Sequence, residues 1–307
     1  MDIIGLGTVA MDVIMQVDSL PKEDGFCLVN KQSYLEGGSA TNVIVQASRL
    51  GAKCGFISQI GDDGVGKGIK NSLERENVIT ESMIVKKGGT SLHTLVVVDQ
   101  EGKKFIMLNM GDVFLTLRKE DVDTEFIKTG KIFYTDLLPG EPAIDALKKA
   151  KESGLKTVIN VQIGLPLMEN FGVSKDAILD SLKYVDVFAP CREAFYALTG
   201  TDDYQKGVKQ FSRLYDGLLL LTLGEKGSLA VTKDFHLQVP VFEVQVVDTT
   251  GAGDSFIGAF MYAFFIRKMK IKEAMEFSSV CAGLTCSRLG ARTSPDLEKV
   301  KTILKEL

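Results

Sequence analysis

From residue 131 onward, short apolar runs alternate with amphipathic stretches, and this alternation restricts the fold more than any other feature of the chain. Ile132 to Thr135, Thr157 to Asn160 and Val185 to Ala189 read as strands. Glu141 to Ser153 and Lys175 to Tyr184 have helical spacing and read as the helices between them. Strands joined through helices pair in parallel, so the spacing predicts an α/β chain with a doubly wound, mostly parallel sheet flanked by helices. Sites in such sheets lie beyond the carboxyl ends of the strands, where Asp136, Asn160 and Gln162 stand. Leu218 to Leu221 adds an apolar strand closing on Thr222-Leu223-Gly224-Glu225-Lys226-Gly227, which by itself is a strand followed by a turn.

The first 110 residues depart from this rhythm. Val13 to Val17 and Phe26 to Leu35 form one strand pair around the turn Pro21 to Gly25, and Ser91 to Val98 and Lys104 to Asn109 form another around Asp99 to Gly102. The expected division is a body of residues 1–11, 37–89 and 110–307, and a small β lid of residues 12–36 and 90–109. Gly5-Leu6-Gly7-Thr8-Val9-Ala10 matches a dinucleotide-binding pattern, but no helix follows, and it reads as a glycine turn at a strand end.

Composition removes several functions. With 36 Lys+Arg against 40 Asp+Glu and no basic block, nucleic acid is not an expected partner. Five scattered cysteines without a Cys-x-x-Cys pair, and only two histidines, argue against a zinc site. The start lacks a basic, apolar leader, and the most apolar stretch, Phe256 to Ile266, is shorter than the ~20 residues of a membrane span. A cytoplasmic protein without membrane association is expected, with Phe256 to Ile266 in the core.

Two glycine pairs open helices. Asp248-Thr249-Thr250-Gly251-Ala252-Gly253-Asp254 is expected to follow a strand ending near Val247 and to precede an apolar helix. Its backbone N–H groups and the helix start suit an anion, while Asp254 fits either a catalytic carboxylate or a helix cap. Gly37-Gly38-Ser39-Ala40-Thr41-Asn42 likewise leads into a helix from Val43 to Leu50, ended by Gly51.

Taken whole, these strings resemble the two signatures of the ribokinase family, the PfkB-type carbohydrate kinases. Ile60-Gly61-Asp62-Asp63-Gly64-Val65-Gly66, Thr222 to Gly227 placed one strand before Asp248, and Arg288-Leu289-Gly290-Ala291 extend the likeness over nearly the whole chain, through closing helices at 271–288 and 295–307. The resemblance implies a ribokinase-like kinase that moves the γ-phosphate of ATP, with Mg²⁺, to a hydroxymethyl group of a small sugar or polyol; it also admits a monovalent cation. Asp254 becomes the base, kept ionised by the helix start, and Gly251, Ala252 and Gly253 the anion hole. Asp12, Gly37, Gly38, Asn42 and Asp136 fall on the sugar side, and Asn160, Thr222, Gly224, Gly227 and Ser279 on the nucleotide side.

The likeness breaks at the family's Asn-x-x-Glu, replaced here by Cys191-Arg192-Glu193-Ala194. Glu193, one position early and so turned by roughly 100°, is the candidate for reaching a metal through water. Ser279 stands for an Asn near the adenine, and Asn160-Val161-Gln162-Ile163-Gly164 for Asp-x-Asn-x-Arg. These changes bear on metal handling and nucleotide preference. A nucleoside kinase, or a sugar- or nucleoside-binding protein with weak turnover, are the alternatives. His93, Thr94 and Asn109 lie on the substrate-choosing strands, whose exposed edges also suggest a dimer through the lid.

Overall fold

The computed structural model describes residues 1–306. The body strands are β1 (Ile3–Leu6), β4 (Cys54–Ile57), β9 (Ile132–Thr135), β10 (Lys156–Ile159), β11 (Val187–Phe188), β12 (Leu218–Thr222), β13 (Ser228–Val231) and β14 (His236–Val239). They form one sheet in the order β14-β13-β12-β11-β10-β9-β1-β4. Pairing is parallel from β4 to β12 and antiparallel through β13 and β14. The all-buried runs of β1, β4 and β9 leave no solvent face, as expected of strands covered on both sides. From β1 the chain moves outward to β4 on one side, and from β9 through β12 on the other. The order therefore reverses between β1 and β9, which makes their carboxyl ends the switch point of the sheet.

Helix α1 (Ser39–Arg49) packs on β1 and β4 of this sheet and against helix α2 (Ala252–Phe260), which packs in turn on α3 (Ile271–Cys286). Val43, Ile44 and Val45 are fully buried, each contributing about 1.5–3 kcal/mol by leaving water. Within this apolar layer the buried Gln46 accepts a hydrogen bond from Ser255 at 2.9 Å, joining α1 to α2.

A second, four-stranded sheet contains β2 (Ala10–Val17), β3 (Val29–Gly37), β7 (His93–Val98) and β8 (Lys104–Asn109), in the order β3-β2-β7-β8. A short parallel pair, β5 (Gln59–Gly61) with β6 (Ile84–Lys86), stands apart from both sheets. β2 begins earlier than its alternation suggests, and β3 begins at Val29 because its partner β2 ends opposite that residue, leaving Phe26 and Leu28 unpaired and exposed.

Three expectations along the second half change. No strand precedes Asp248: residues 240–247 run without ladder partners, and the N–H groups of Val247 and Asp248 both donate to the carbonyl of Cys286 at the end of α3. Thr222 is also not one strand before Asp248, because the β13/β14 hairpin intervenes. The helix after Asp254 is α-helical to Phe260 and continues as a π-helical turn over Met261–Ile266. The closing helices are α3 and Leu297–Glu306; position 307 of the expected last helix lies outside the described residues.

Candidate active site

The turn before α2 is shaped by Gly251. Its φ of +79° is left-handed, and a Cβ there would lie 2.1 Å from the carbonyl oxygen of Ala291, so the backbones of residues 251 and 291 meet at a distance only glycine allows. Asp248 braces the same junction, accepting from the Thr250 N–H at 3.0 Å, the Thr250 hydroxyl at 2.7 Å and the Gly290 N–H at 2.9 Å. Burial works against its charge, but the bonds from Thr250 and Gly290, with the Lys104 charge, hold its carboxyl below the usual range.

Asp254 follows in the first turn of α2, and its carboxylate does not cap that helix. One oxygen accepts from the Ser39 hydroxyl at 2.7 Å and the other from the Asn42 side-chain amide at 3.0 Å, both on α1. The helix start does not keep it fully ionised either. Burial, with the charge of Asp136 adding to it, outweighs the bonds from Ser39 and Asn42 and the Arg292 charge, and pushes this carboxyl up to about 7.

The α1 entrance depends on Gly38, with φ +84°. A Cβ there would fall 2.7 Å from the Ala10 nitrogen and 2.8 Å from the Thr8 oxygen, so the start of α1 runs directly against the link from β1 to β2. Arg292 locks this entrance: Nε donates to the Asn42 side-chain oxygen at 3.0 Å, Nη1 to the Ser72 hydroxyl at 3.0 Å, and Nη2 to the Gly37 carbonyl and to the Thr41 hydroxyl at 2.8 Å. Asn42 thus has Asp254 and Arg292 as side-chain partners. Neither Arg292 nor Ser39 was assigned a role from sequence. Ser39 lies inside the glycine-pair string and could have been flagged, whereas no local signal marks Arg292.

Asp136 lies at the switch point, its carboxylate accepting from the Thr8 N–H at 3.0 Å and the Leu138 N–H at 3.1 Å. Burial raises its carboxyl to about 6 against these bonds. Asp12, on β2, accepts from the Thr94 hydroxyl, and a Cβ on Gly37 would sit 3.5 Å from its carboxylate. Strand register puts Asp12 beside Leu35 and Thr94, and Thr94 beside Leu108, on one face of the second sheet. His93 and Asn109 pair on the opposite face.

Across the turn lies a cavity of about 560 Å³ whose lining includes Thr222, Gly224, Gly227, Ala252, Gly253 and Ser279. Much of its wall is apolar, with Val241, Phe242, Val244, Phe256 and Ala282. The Ser279 hydroxyl donates to the Pro240 carbonyl at 3.2 Å and accepts from the Phe242 N–H at 2.9 Å, fastening the unpaired 240–247 segment to α3. Asn160 lies in a smaller adjoining cavity that shares Thr222 and Gly253 with the larger one and is also lined by Cys191 and Gln162. Glu193 lines neither cavity; its carboxylate lies over Gly164, where a Cβ would be 2.1 Å from it. Cys191 caps the helix Arg192–Thr199, and Ala194 is fully buried. Among the described residues no three His, Cys, Asp or Glu side chains cluster to hold a metal ion, and no helix is long and apolar enough to cross a membrane.

The family profile described as pfkB family carbohydrate kinase matches residues 2–298. A fructokinase from Solanum tuberosum is 30% identical over 309 residues, covering 95% of this chain and 93% of its own. A probable fructokinase-2 from Arabidopsis thaliana is 28% identical over 294 residues, covering 90% and 89%. Among solved structures, a Thermotoga maritima ribokinase superposes with a TM-score of 0.84 at 25% identity over 99% of both chains. A putative ribokinase II from E. coli, in complex with ATP and Mg²⁺, gives 0.82 at 21% identity over 100% of this chain and 99% of that one.

Proposed function

We propose, for a chain that belongs to the pfkB family of carbohydrate kinases, that it moves the γ-phosphate of ATP to a hydroxymethyl group of a small sugar, with Asp254 as the proton acceptor. Fructose is the first candidate, since curated relatives at 28–30% identity are fructokinases. The observation that carries the reading is the Asp254 carboxylate, buried and oriented by Ser39 and Asn42 at the helix start beside a glycine turn.

Phosphoryl transfer asks a protein for positioning, charge stabilisation and somewhere for the hydroxyl proton to go. The N–H groups of residues 251–253 and the positive end of α2 meet the charge on the transferred group. Asp12, Asp136 and the Gly37-Gly38 backbone hold sugar hydroxyls, and the second sheet serves as the lid over them. The 560 Å³ cavity takes the nucleotide, its apolar walls suiting a flat base and Thr222 and Gly224 the phosphates. Because the described residues offer no metal cage, Mg²⁺ would arrive on the nucleotide's phosphates, where it neutralises their charge. Half-exposed Phe105, Ile106, Met107 and Leu108 on the edge strand β8 support pairing of two copies through their lids.

ATP consumption measured across fructose, ribose, other sugars and nucleosides tests the acceptor, and nucleosides turning over faster than every sugar would reverse it. Asp254→Asn keeps the shape but removes the basicity. Its turnover should fall by roughly 10²–10⁴ with sugar and ATP binding little changed. Near-normal turnover in a folded Asp254→Asn would sink the mechanism.

A further inference from the structure

We propose that Arg292 is a positioning residue, holding the Asn42 amide in the one orientation that donates to Asp254. The inference rests on the reading of Asp254 as proton acceptor. Guanidinium groups only donate, so the bond from Arg292 Nε requires the oxygen of Asn42 to face it. The amide nitrogen of Asn42 is then left facing Asp254. A flipped amide would set donor against donor at Arg292 and acceptor against acceptor at Asp254.

The remaining bonds of Arg292 suit the same purpose. Its acceptors are Asn42, Ser72, Gly37 and Thr41, none of them a carboxylate, so the positive charge is not matched by a directly bonded anion. Burial lowers its guanidinium to about 10, with Arg49 adding to the effect against Glu36, Glu76 and Asp254; the group stays cationic at neutral pH. Around Asp254, Ser39 and Asn42 come from α1, Asp136 from the end of β9 and Arg292 from the loop after α3. Asp136 disfavours and Arg292 favours the charge on that carboxyl, and the fully buried Tyr134 on β9, its phenol held neutral by burial, also lies in the field of Asp254. The neighbours of Arg292 in sequence reach the other substrate side, the Gly290 N–H donating to Asp248 and the Ala291 carbonyl lying against Gly251. Residues 290–292 thus touch the nucleotide-side turn at one end and the sugar-side helix at the other.

The experiment compares pH profiles of kcat for wild type, Arg292→Gln and Arg292→Lys on the best sugar, with melting temperature and binding of a non-hydrolysable ATP analogue as controls. In Arg292→Gln, kcat should fall about tenfold to a hundredfold and the acid limb should move up by about one pH unit, because the cation that favoured the ionised carboxyl is gone. Analogue affinity should stay within about twofold. Arg292→Lys keeps the charge but loses the fork that orients Asn42, so kcat should fall and the limb should move up by less than in Arg292→Gln. A merely structural role would lower kcat without moving the limb in Arg292→Gln, and that result overturns the proposal. Should Arg292→Gln fail to fold, Arg292→Lys decides: reduced kcat with the limb moved up supports the proposal, and wild-type kcat or an unmoved limb overturns it. Activity surviving in Asp254→Asn removes the premise itself, whereas an inactive Asp254→Asn with an unmoved limb in Arg292→Gln overturns this inference alone.

Discussion

Burial of Asp254 links its proposed chemistry to fold stability. A carboxyl raised to about 7 in the folded chain, against an ordinary value of 3.8, favours folding where it is protonated. That contribution is complete below pH 3.8 and is lost as pH rises through about 7. Between pH 5 and pH 8 the loss amounts to about 3 kcal/mol. Asp254→Asn, neutral throughout, should gain melting temperature relative to wild type across that interval, and a gap that stays constant would mean an ordinary carboxyl. Over the same range wild-type kcat should rise, since the base is needed ionised. Asp254 and Asn42 were legible in the sequence because each stands beside a glycine pair that opens a helix. Arg292 was not, because its side-chain partners lie 220–255 positions away, and no local spacing encodes such a contact.

At the scale of elements, the turn before α2 depends on a backbone approach that a single methyl group blocks. Gly251→Ala combines a left-handed φ with a Cβ 2.1 Å from the Ala291 carbonyl. It should cost at least about 1–3 kcal/mol in urea unfolding and weaken ATP binding; wild-type stability would show that the 290–292 loop simply yields. The helix Arg192–Thr199 leads to a different expectation. Its Glu193 lies over Gly164, away from both cavities, so Glu193→Gln should leave the Mg²⁺ requirement of turnover within about twofold. A larger shift would put that carboxylate back beside the metal. Strands β9, β10 and β12 were readable from apolar runs of strand length. Residues 241–247 alternate much as a strand does, yet they pair with no strand; the Ser279 hydroxyl accepts from the Phe242 N–H and the Cys286 carbonyl from the Val247 N–H instead. Tertiary contacts override local pattern there.

For the molecule as a whole, the two sheets differ in what they leave uncovered. The body strands β1, β4 and β9 are buried, while β8 exposes every side chain, with Ile106 and Leu108 on the face that carries Asp12. Ile106→Lys with Leu108→Lys should convert the proposed dimer to a monomer in sedimentation velocity, and an unchanged mass would exclude that face as the contact. The central place of β1 bears on how the protein is made. Ile3 pairs with Cys54 on one side and Ile132 on the other, a separation of 132 − 3 = 129 residues on the second side. At ribosomal speeds of about 5–20 residues per second, roughly 6–26 seconds pass before that second neighbour has been synthesised. For that interval the nascent chain carries an apolar strand, Ile3-Ile4-Gly5-Leu6, with one edge unfilled, and protection of that edge falls to chaperones or to the ribosome surface until β9 emerges.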